Sequence, residues 1–424
     1  MDQGRAQPHR MTTQYHRVTV HGRPKRPDFT GQTPSATERI ASNMNPVFSN
    51  RRSERLFMSS TSVHGRWLAS AAAALLITLT GPAQAQATLK VLNWSEYIGP
   101  ETVAKFEKAT GIKVVYSILD SDDTLQAKLL SGNSGYDVVY PSSNYMAKQI
   151  KAGVFEPIDW AQIPNKKFLD AGVMVQTAKN DPDNKYGVPY VWGTEGMIIN
   201  MTKARQAWGG DLPPLSFDLL FKPENAQKLQ KCGIALIDQP SEASTMMAYM
   251  GRDPNSPKLS DTEDAFKELA KIRPYIKLFS NNVIQDVASG DICITTGWSG
   301  DYNVMKRRAK AAGKDFDIRY ATPKGATGLW FTMMGIPKDS KNKEAAHKWI
   351  NFLLSPEIAA ENTNEITYTS AVGAARTLIK PELANDPFLY PSEAQMAEYF
   401  AFKPQDTGLL RATNKLWLRF KSGL

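Results

Sequence analysis

Short apolar segments alternate with amphipathic segments that end at glycine, and this alternation restricts the fold more than any other feature of the chain. The expected strands and helices of the first part occupy, in turn, residues 89–94, 101–110, 112–118, 124–131, 137–140 and 145–152. Strand patterns return at 191–200 and 328–337, and a helical pattern covers 344–354. Apolar runs linked by such helices are typical of an α/β fold with helices on both faces of the sheet. Ligands in these folds lie beyond the carboxyl ends of the strands, here residues 93–97 and 141–145.

The positive charge of the chain is concentrated near its N-terminus. Of 51 basic and 42 acidic side chains in 424 residues, 11 basic and 4 acidic ones lie in residues 1–85, so the remaining chain is nearly neutral. We therefore expect no nucleic-acid partner, although the pI of the whole chain is about 9.2. A hydrophobic content of 42% excludes a disordered protein, and the length suffices for two or three domains.

Residues 58–85 have the three parts of a secretory signal peptide. Arg66 supplies a basic head, residues 68–81 form an apolar core of 14 residues, and an Ala-x-Ala motif fits cleavage after Ala85. This run is short for a membrane span, which needs about 20 residues. We therefore expect a secreted, periplasmic protein. Residues 1–57 show no helix or strand periodicity, and we interpret them as a mis-annotated start or a disordered extension.

The chain has two cysteines, Cys232 and Cys293, and a lone pair in an oxidising compartment usually joins. We predict a disulfide, which would stabilise the fold by roughly 4 kcal/mol because it closes a loop of about 60 residues. His347 is the one histidine after residue 85, and neither cysteine has the spacing of a metal ligand. We therefore expect no metal site, no cofactor and no histidine-dependent catalytic triad.

Seven segments in the same order resemble the periplasmic solute-binding proteins of ABC importers, specifically the putrescine and spermidine binders. They are V-L-N-W-S-E-Y-I, F-E-K-A-T-G-I-K-V-V-Y, Y-D-V-V-Y-P-S, D-P-D-N-K-Y-G-V-P-Y-V-W-G, K-C-G-I-A-L-I-D, G-D-I-C-I-T-T-G-W-S-G-D and K-N-K-E-A-A-H-K-W-I-N-F-L-L-S-P. The resemblance implies the two-lobed, type II periplasmic-binding-protein fold. Each lobe is then a mixed sheet flanked by helices, and two crossover hinge strands join the lobes. One lobe would hold 88–193 and 333–386, and the other 196–331 and 390–424.

A linear polyamine carries a cation at each end and methylenes between them, so its receptor needs carboxylates, hydroxyls and aromatic faces. The resemblance assigns an aromatic box to Trp94, Tyr97, Tyr145, Trp298, Trp330 and Tyr368. It assigns acidic anchors to Glu242 and Asp301, and hydroxyl contacts to Ser95 and Ser142. Glu96 matches an acidic position that differs between putrescine and spermidine binders.

Thr332 departs from the pattern of the family, because putrescine and spermidine binders usually carry an aspartate at this position. A threonine supplies a neutral hydroxyl and removes a charge that would grip an amino group. Glu195 stands where the family usually has a small or neutral residue. Our hypothesis is that Glu195 partly replaces the missing carboxylate.

The resemblance implies a binding protein that is not an enzyme. It would trap a cationic amine, putrescine or a related polyamine, and deliver it to the permease and ATPase subunits of an ABC importer. We expect a monomer. Two alternatives stay open: a receptor module that senses amines, and a binder of a modified polyamine or a monoamine.

Overall fold

The computed structural model describes residues 87–424, so our expectations for residues 1–57 and 58–85 lie outside the described part of the chain. The strands are β1 (Thr88–Trp94), β2 (Lys113–Leu119), β3 (Val138–Val139), β4 (Gly187–Asn200), β5 (Ile234–Ile237), β6 (Leu278–Ser280), β7 (Ile294–Trp298), β8 (Ile318–Ala321), β9 (Gly328–Gly335), β10 (Thr369–Ser370) and β11 (Phe400–Ala401).

The helices are α1 (Thr102–Thr110), α2 (Asp122–Leu130), α3 (Ser143–Lys151), α4 (Ala171–Thr177), α5 (Met201–Trp208), α6 (Asp218–Phe221), α7 (Pro223–Leu229), α8 (Glu242–Tyr249), α9 (Leu259–Ile272), α10 (Val283–Ala288), α11 (Asp301–Ala311), α12 (Lys343–Leu353), α13 (Pro356–Ile366), α14 (Pro381–Ala384), α15 (Glu393–Glu398) and α16 (Thr407–Ser422). Short 3₁₀ turns lie between several of these elements.

The strands form a mixed sheet with the order β2-β1-β3-β9-β4-β7-β5-β6. β1 pairs in parallel with β2 and β3, and β5 pairs in parallel with β6 and β7. The two parallel groups are joined through β9 and β4, which pair with each other in antiparallel orientation. This arrangement confirms the predicted α/β fold with mixed sheets and two crossover strands.

The buried side chains divide into two sets, which define two lobes. The core of the first lobe lies on both faces of β1, because successive strand residues such as Val91 and Leu92 point to opposite faces. The core of the second lobe likewise lies on both faces of β4, where Met197 and Ile198 enter different clusters. Each lobe therefore has its own hydrophobic core.

The strand β4 begins at Gly187, four residues before the predicted start. Pro189 made this earlier start hard to predict from the sequence, because proline cannot donate a ladder hydrogen bond and usually argues against a central strand. The structure accommodates it at a register shift between Pro189 and Val191. The remaining predicted elements of the first lobe agree with the structure to within two residues.

The predicted disulfide is confirmed: Cys232 and Cys293 are bonded, and their Cα atoms are 5.5 Å apart. The bond joins residues just before β5 and β7, which are parallel neighbours paired at Ile234 and Ile294. It therefore fastens the starts of two strands in the second lobe. Among residues 87–424, none of the helices has the length and apolar character needed to cross a membrane.

Candidate functional site

The last residue of β1 and the loop after it carry four of the predicted site residues. Trp94 is half-buried, and its indole Nε1 donates a hydrogen bond of 2.8 Å to the carbonyl oxygen of Tyr140. Ser95 and Glu96 are exposed. Glu96 has a φ of 63°, and its carboxylate forms an ion pair of 2.8 Å with Arg308 on α11. This ion pair connects the first lobe to a helix of the second.

Three of the six predicted aromatic residues form a contacting group, which we call the aromatic group: Tyr97, Trp330 and Tyr368. The ring of Tyr368 lies 4.9 Å from Tyr97 and 5.2 Å from Trp330, measured between centroids. Tyr97 and Trp330 are 6.4 Å apart. The buried indole Nε1 of Trp330 has no hydrogen-bond partner among residues 87–424. These rings offer apolar faces and one free donor.

Asp301 lies against the aromatic group from the second lobe. It is the first residue of α11, and its Oδ1 accepts a hydrogen bond from the hydroxyl of Tyr368. Burial raises the pKa of Asp301 to about 7; the Tyr368 hydrogen bond and Arg308 act in the opposite direction, while Glu96 raises it further. A carboxyl group so placed is stabilised in its charged form by a cation nearby.

A second set of site residues surrounds Ser142, which follows β3. Ser142 bridges to Thr332 on β9, so the position of the missing aspartate lies directly beside this serine. The Ser142 backbone nitrogen and hydroxyl both donate to Asp122, at 2.9 and 2.6 Å. Burial raises the pKa of Asp122 to about 6, although these hydrogen bonds lower it. Tyr145 lies in the first turn of α3, and its ring lies 5.3 Å from the ammonium of Lys148.

Asp122 is a site residue that our sequence analysis missed. It begins α2, three residues after β2 ends at Leu119, so it lies at the carboxyl end of a strand parallel to β1. The sequence could have predicted this position, because parallel strands end at the same edge of a sheet. The resemblance to a known family drew attention to other segments instead.

The third set joins Glu195 on β4 to Glu242 on α8. Both side chains are almost fully buried, with 2% and 1% exposed. Glu195 Oε1 accepts a hydrogen bond of 2.8 Å from Thr245, and Glu242 Oε1 accepts one from Thr296. Burial raises the pKa of Glu195 to about 7, and burial together with the charge of Glu195 raises the pKa of Glu242 well above its usual value.

Glu195 lies some distance from the position of the missing aspartate. Thr332 pairs with Val191, whereas Glu195 pairs with Gly328 on one side and with half-buried Trp298 on the other. Val191 and Glu195 are four positions apart along the strand, which corresponds to about 13 Å. Our hypothesis for Glu195 therefore has to place its carboxylate at a different point of the ligand from Thr332.

The three sets share one chemical property. They contain four carboxyl groups with raised pKa values, and no Lys or Arg within residues 87–424 forms an ion pair with any of them. Burying a carboxylate without a counter-charge costs several kcal/mol, so such groups either hold protons or meet a cation. No cluster of three or more His, Cys, Asp or Glu suited to a metal ion occurs in the same residues. The site therefore suits an organic cation with an apolar part.

His347 is structural. Its Nε2 accepts a hydrogen bond of 3.0 Å from the backbone nitrogen of Asp159, and its Nδ1 lies 2.7 Å from the carbonyl oxygen of Lys343. Both ring nitrogens are thus engaged within the first lobe.

Two lobes with separate cores, joined by crossover strands and carrying a polar and aromatic site where they touch, define the class of periplasmic ligand-binding proteins. The family profile of the bacterial extracellular solute-binding proteins matches residues 101–389. This chain belongs to that family.

Relatives support the same assignment. The putrescine-binding periplasmic protein PotF of Escherichia coli (strain K12) is 40% identical over 368 residues, covering 86% of this chain and 100% of that protein. The putrescine-binding periplasmic protein SpuD of Pseudomonas aeruginosa (strain UCBPP-PA14) is 42% identical over 357 residues, covering 82% and 97%. The crystal structure of PotD, a spermidine/putrescine ABC transporter substrate-binding protein from Streptococcus pneumoniae, has a TM-score of 0.66 and 28% identity, covering 80% of this chain and 99% of that one.

Proposed function

We propose that this protein is the periplasmic substrate-binding component of a polyamine ABC importer and that it traps a putrescine-like amine between its lobes. The observation that carries the proposal is the contact of Asp301 with the aromatic group, together with the carboxyl groups of Asp122, Glu195 and Glu242, none of which forms an ion pair with a Lys or Arg of residues 87–424. A dication with a short methylene chain complements both features. Two relatives at 40% and 42% identity bind putrescine according to their names.

The proposed lobe boundaries are 88–193 with 333–386 for the first lobe and 196–331 with 390–424 for the second. The distribution of the two cores supports this division, with Tyr190 and Trp349 in the first and Trp417 in the second. Leu329 and Phe331 pack with the first core, so the second crossing begins a few residues earlier than the boundary at 331.

In this proposal each set of residues has a part in binding. Asp301 holds one ammonium group, supported by Tyr368, while the aromatic group covers the methylenes. The carboxylate of Asp122, with Ser142 and Thr332, faces the ligand from the first lobe. Trp298 pairs with Glu195 across β4 and β7.

We further propose that the protein reaches the periplasm through the signal peptide at 58–85 and acts as a monomer that delivers its ligand to a permease and its ATPase. Closure of the lobes would be favoured by ligand, because a ligand shifts a conformational equilibrium only by binding one state more tightly. The Glu96–Arg308 ion pair would then form part of the closed state.

The test is isothermal titration of the refolded, ligand-free protein with putrescine, cadaverine, spermidine, agmatine and a monoamine. We expect tight binding of at least one diamine or triamine. The variant Asp301→Asn should bind that amine at least about 100-fold more weakly, because truncating one half of a buried charge pair costs about 3 to 5 kcal/mol.

Asp211→Asn is the matched control, since the side chain of Asp211 is 96% exposed. Its affinity should equal that of the unchanged protein. Binding of none of the polyamines would contradict the proposal, and binding of the monoamine alone would indicate that Thr332 marks a change of ligand.

A further inference from the structure

Glu195 on β4 and Glu242 on α8 lie where this helix packs on one face of the sheet. Glu195 pairs with Trp298 and Met197 pairs with Thr296, so these four side chains share one face of β4 and β7. The helix α8 packs on that face, where Thr245 donates to Glu195 and Thr296 donates to Glu242. Because Glu242 and Thr245 are three residues apart on the helix, both carboxyl groups lie at the same junction.

The hydroxyl contacts leave part of this junction unsatisfied. Thr296 occupies one oxygen of Glu242, but the other oxygen, Oε2, is buried and has no hydrogen-bond partner within the described residues. An acceptor in this state costs roughly 1 to 3 kcal/mol, more when it is charged. A donor that carries a positive charge would satisfy it.

The other titratable groups around the junction are neutral or acidic. Tyr320 on β8 donates to the carbonyl oxygen of Thr194, and Glu195 and Asp301 act on its pKa in the same direction as burial, which raises it. Tyr399 also influences Tyr320. Neither glutamate forms an ion pair with a Lys or Arg of residues 87–424. The charged side chains at the junction are therefore acidic, and no basic side chain of residues 87–424 pairs with them.

We propose that Glu195 and Glu242 form a two-carboxylate subsite for one ammonium group of the ligand, and that this ammonium displaces a proton which the empty subsite holds. The inference rests on the proposed function and deepens it, because it adds Glu195 as a residue that determines affinity. The displaced proton passes to the buffer, and the ammonium keeps its own protons. Two close carboxylates cannot both ionise cheaply without a cation, which makes the exchange favourable.

The experiment counts the protons released when putrescine binds. Titration calorimetry at about pH 7 in two buffers with different enthalpies of ionisation, phosphate and Tris, gives the number of protons released per ligand. We expect release from the unchanged protein and an affinity that rises with pH by up to about tenfold per unit for each proton displaced. The variant Glu195→Gln should release fewer protons per ligand than the unchanged protein, by about half a proton or more. Its affinity for putrescine should be lower by about tenfold or more.

Glu361→Gln is the control, because Glu361 makes an exposed ion pair with Lys105 and the chemical change is the same. Its proton release should match that of the unchanged protein. Glu195→Thr is a second variant, which removes the carboxylate with a shorter side chain and should reproduce the effect of the glutamine.

Equal proton release and an affinity within twofold in Glu195→Gln would overturn the inference, while binding of putrescine by the unchanged protein would leave the proposed function standing. Putrescine binding with the same enthalpy in both buffers, which means that no proton is released, would also overturn the inference. Failure of the unchanged protein to bind any polyamine would instead remove the proposed function and this inference together.

Discussion

At the scale of single residues, the carboxyl groups of the site differ in what satisfies them. Asp301 accepts from a tyrosine hydroxyl, Asp122 accepts twice from one serine, and Glu195 accepts from a threonine. Each of these donors lowers the pKa that burial raises, but the donor does not cancel the effect of burial. The empty site is therefore acidic in composition and yet holds protons near neutral pH.

This retained protonation predicts how the stability of the empty protein depends on pH. Glu195 and Asp301 have a pKa of about 7 when folded, whereas unfolded carboxyl groups titrate near pH 4. Between these values the folded state binds more protons, so the free energy of unfolding falls as pH rises. We expect Tm to decrease between about pH 5 and pH 7.5, by roughly 2 °C for each kcal/mol lost.

Differential scanning calorimetry of the ligand-free protein checks this prediction. Glu195→Gln should show a smaller decrease in Tm over the same range, because it removes one of the titrating groups. Parallel curves for the two proteins would show that Glu195 is already ionised in the empty site.

At the scale of elements, the close approach of β4, β9 and the loop after β7 requires a small residue at Gly193. A Cβ at this position would lie 2.7 Å from the hydroxyl of Ser299 and 2.7 Å from a ring carbon of Trp330. Because Trp330 pairs with Gly193 across the two strands, its ring position depends on the absence of that atom. The crossover thus sets the geometry of the aromatic group.

We predict that Gly193→Ala displaces Trp330 and weakens polyamine binding by about tenfold or more, since overpacking a buried site costs typically 1 to 3 kcal/mol. Titration calorimetry measures the affinity. Gly373→Ala serves as the control, because the nearest atom to its added Cβ lies at 3.3 Å and belongs to the side chain of Asp170. An unchanged affinity in Gly193→Ala would mean that Trp330 can shift without loss of its contacts.

The sequence could predict the elements better than the site. Strands β1 and β2 and helices α1 and α12 were readable from local periodicity, and the cysteine pair from the compartment. The start of β4 was concealed by Pro189. The proximity of Glu195 to Glu242 could not be predicted from the sequence, because the two residues are 47 positions apart in the chain. They come together only through the register of β4 with β7 and the packing of α8 on these strands.

At the scale of the whole molecule, the helix α11 connects the lobes at several points. Asp301 and Arg308 contact Tyr368 and Glu96, and Arg307 donates to the carbonyl oxygen of Asn364 at 3.0 Å. The helix itself packs through Tyr302 and Met305 into the core of the second lobe. One rigid element therefore carries both the candidate ligand contact and the contacts that hold the lobes together.

The disulfide contributes to stability in a part of the molecule that is separate from these contacts. We predict that the double variant Cys232→Ser, Cys293→Ser unfolds at a lower temperature, with a loss of about 2 to 5 kcal/mol. Its affinity for polyamine should stay within about threefold, because the bond lies at the starts of β5 and β7 and the site lies at the far end of β7. Calorimetric unfolding and titration check the two effects, and a large loss of affinity would show that the bond shapes the site.

The indole of Trp330, which finds no hydrogen-bond partner in the described part of the chain, also gives the protein an intrinsic optical signal. Indole emission depends on the electric field around the ring, and an ammonium group bound beside Trp330 and Trp298, as proposed above, would change that field. We therefore expect two of the nine tryptophans of the chain to report ligand binding through a shift in fluorescence wavelength or intensity, without any attached dye. Under the proposed function, the capture of a colourless and optically silent amine would therefore be visible in the protein's own fluorescence.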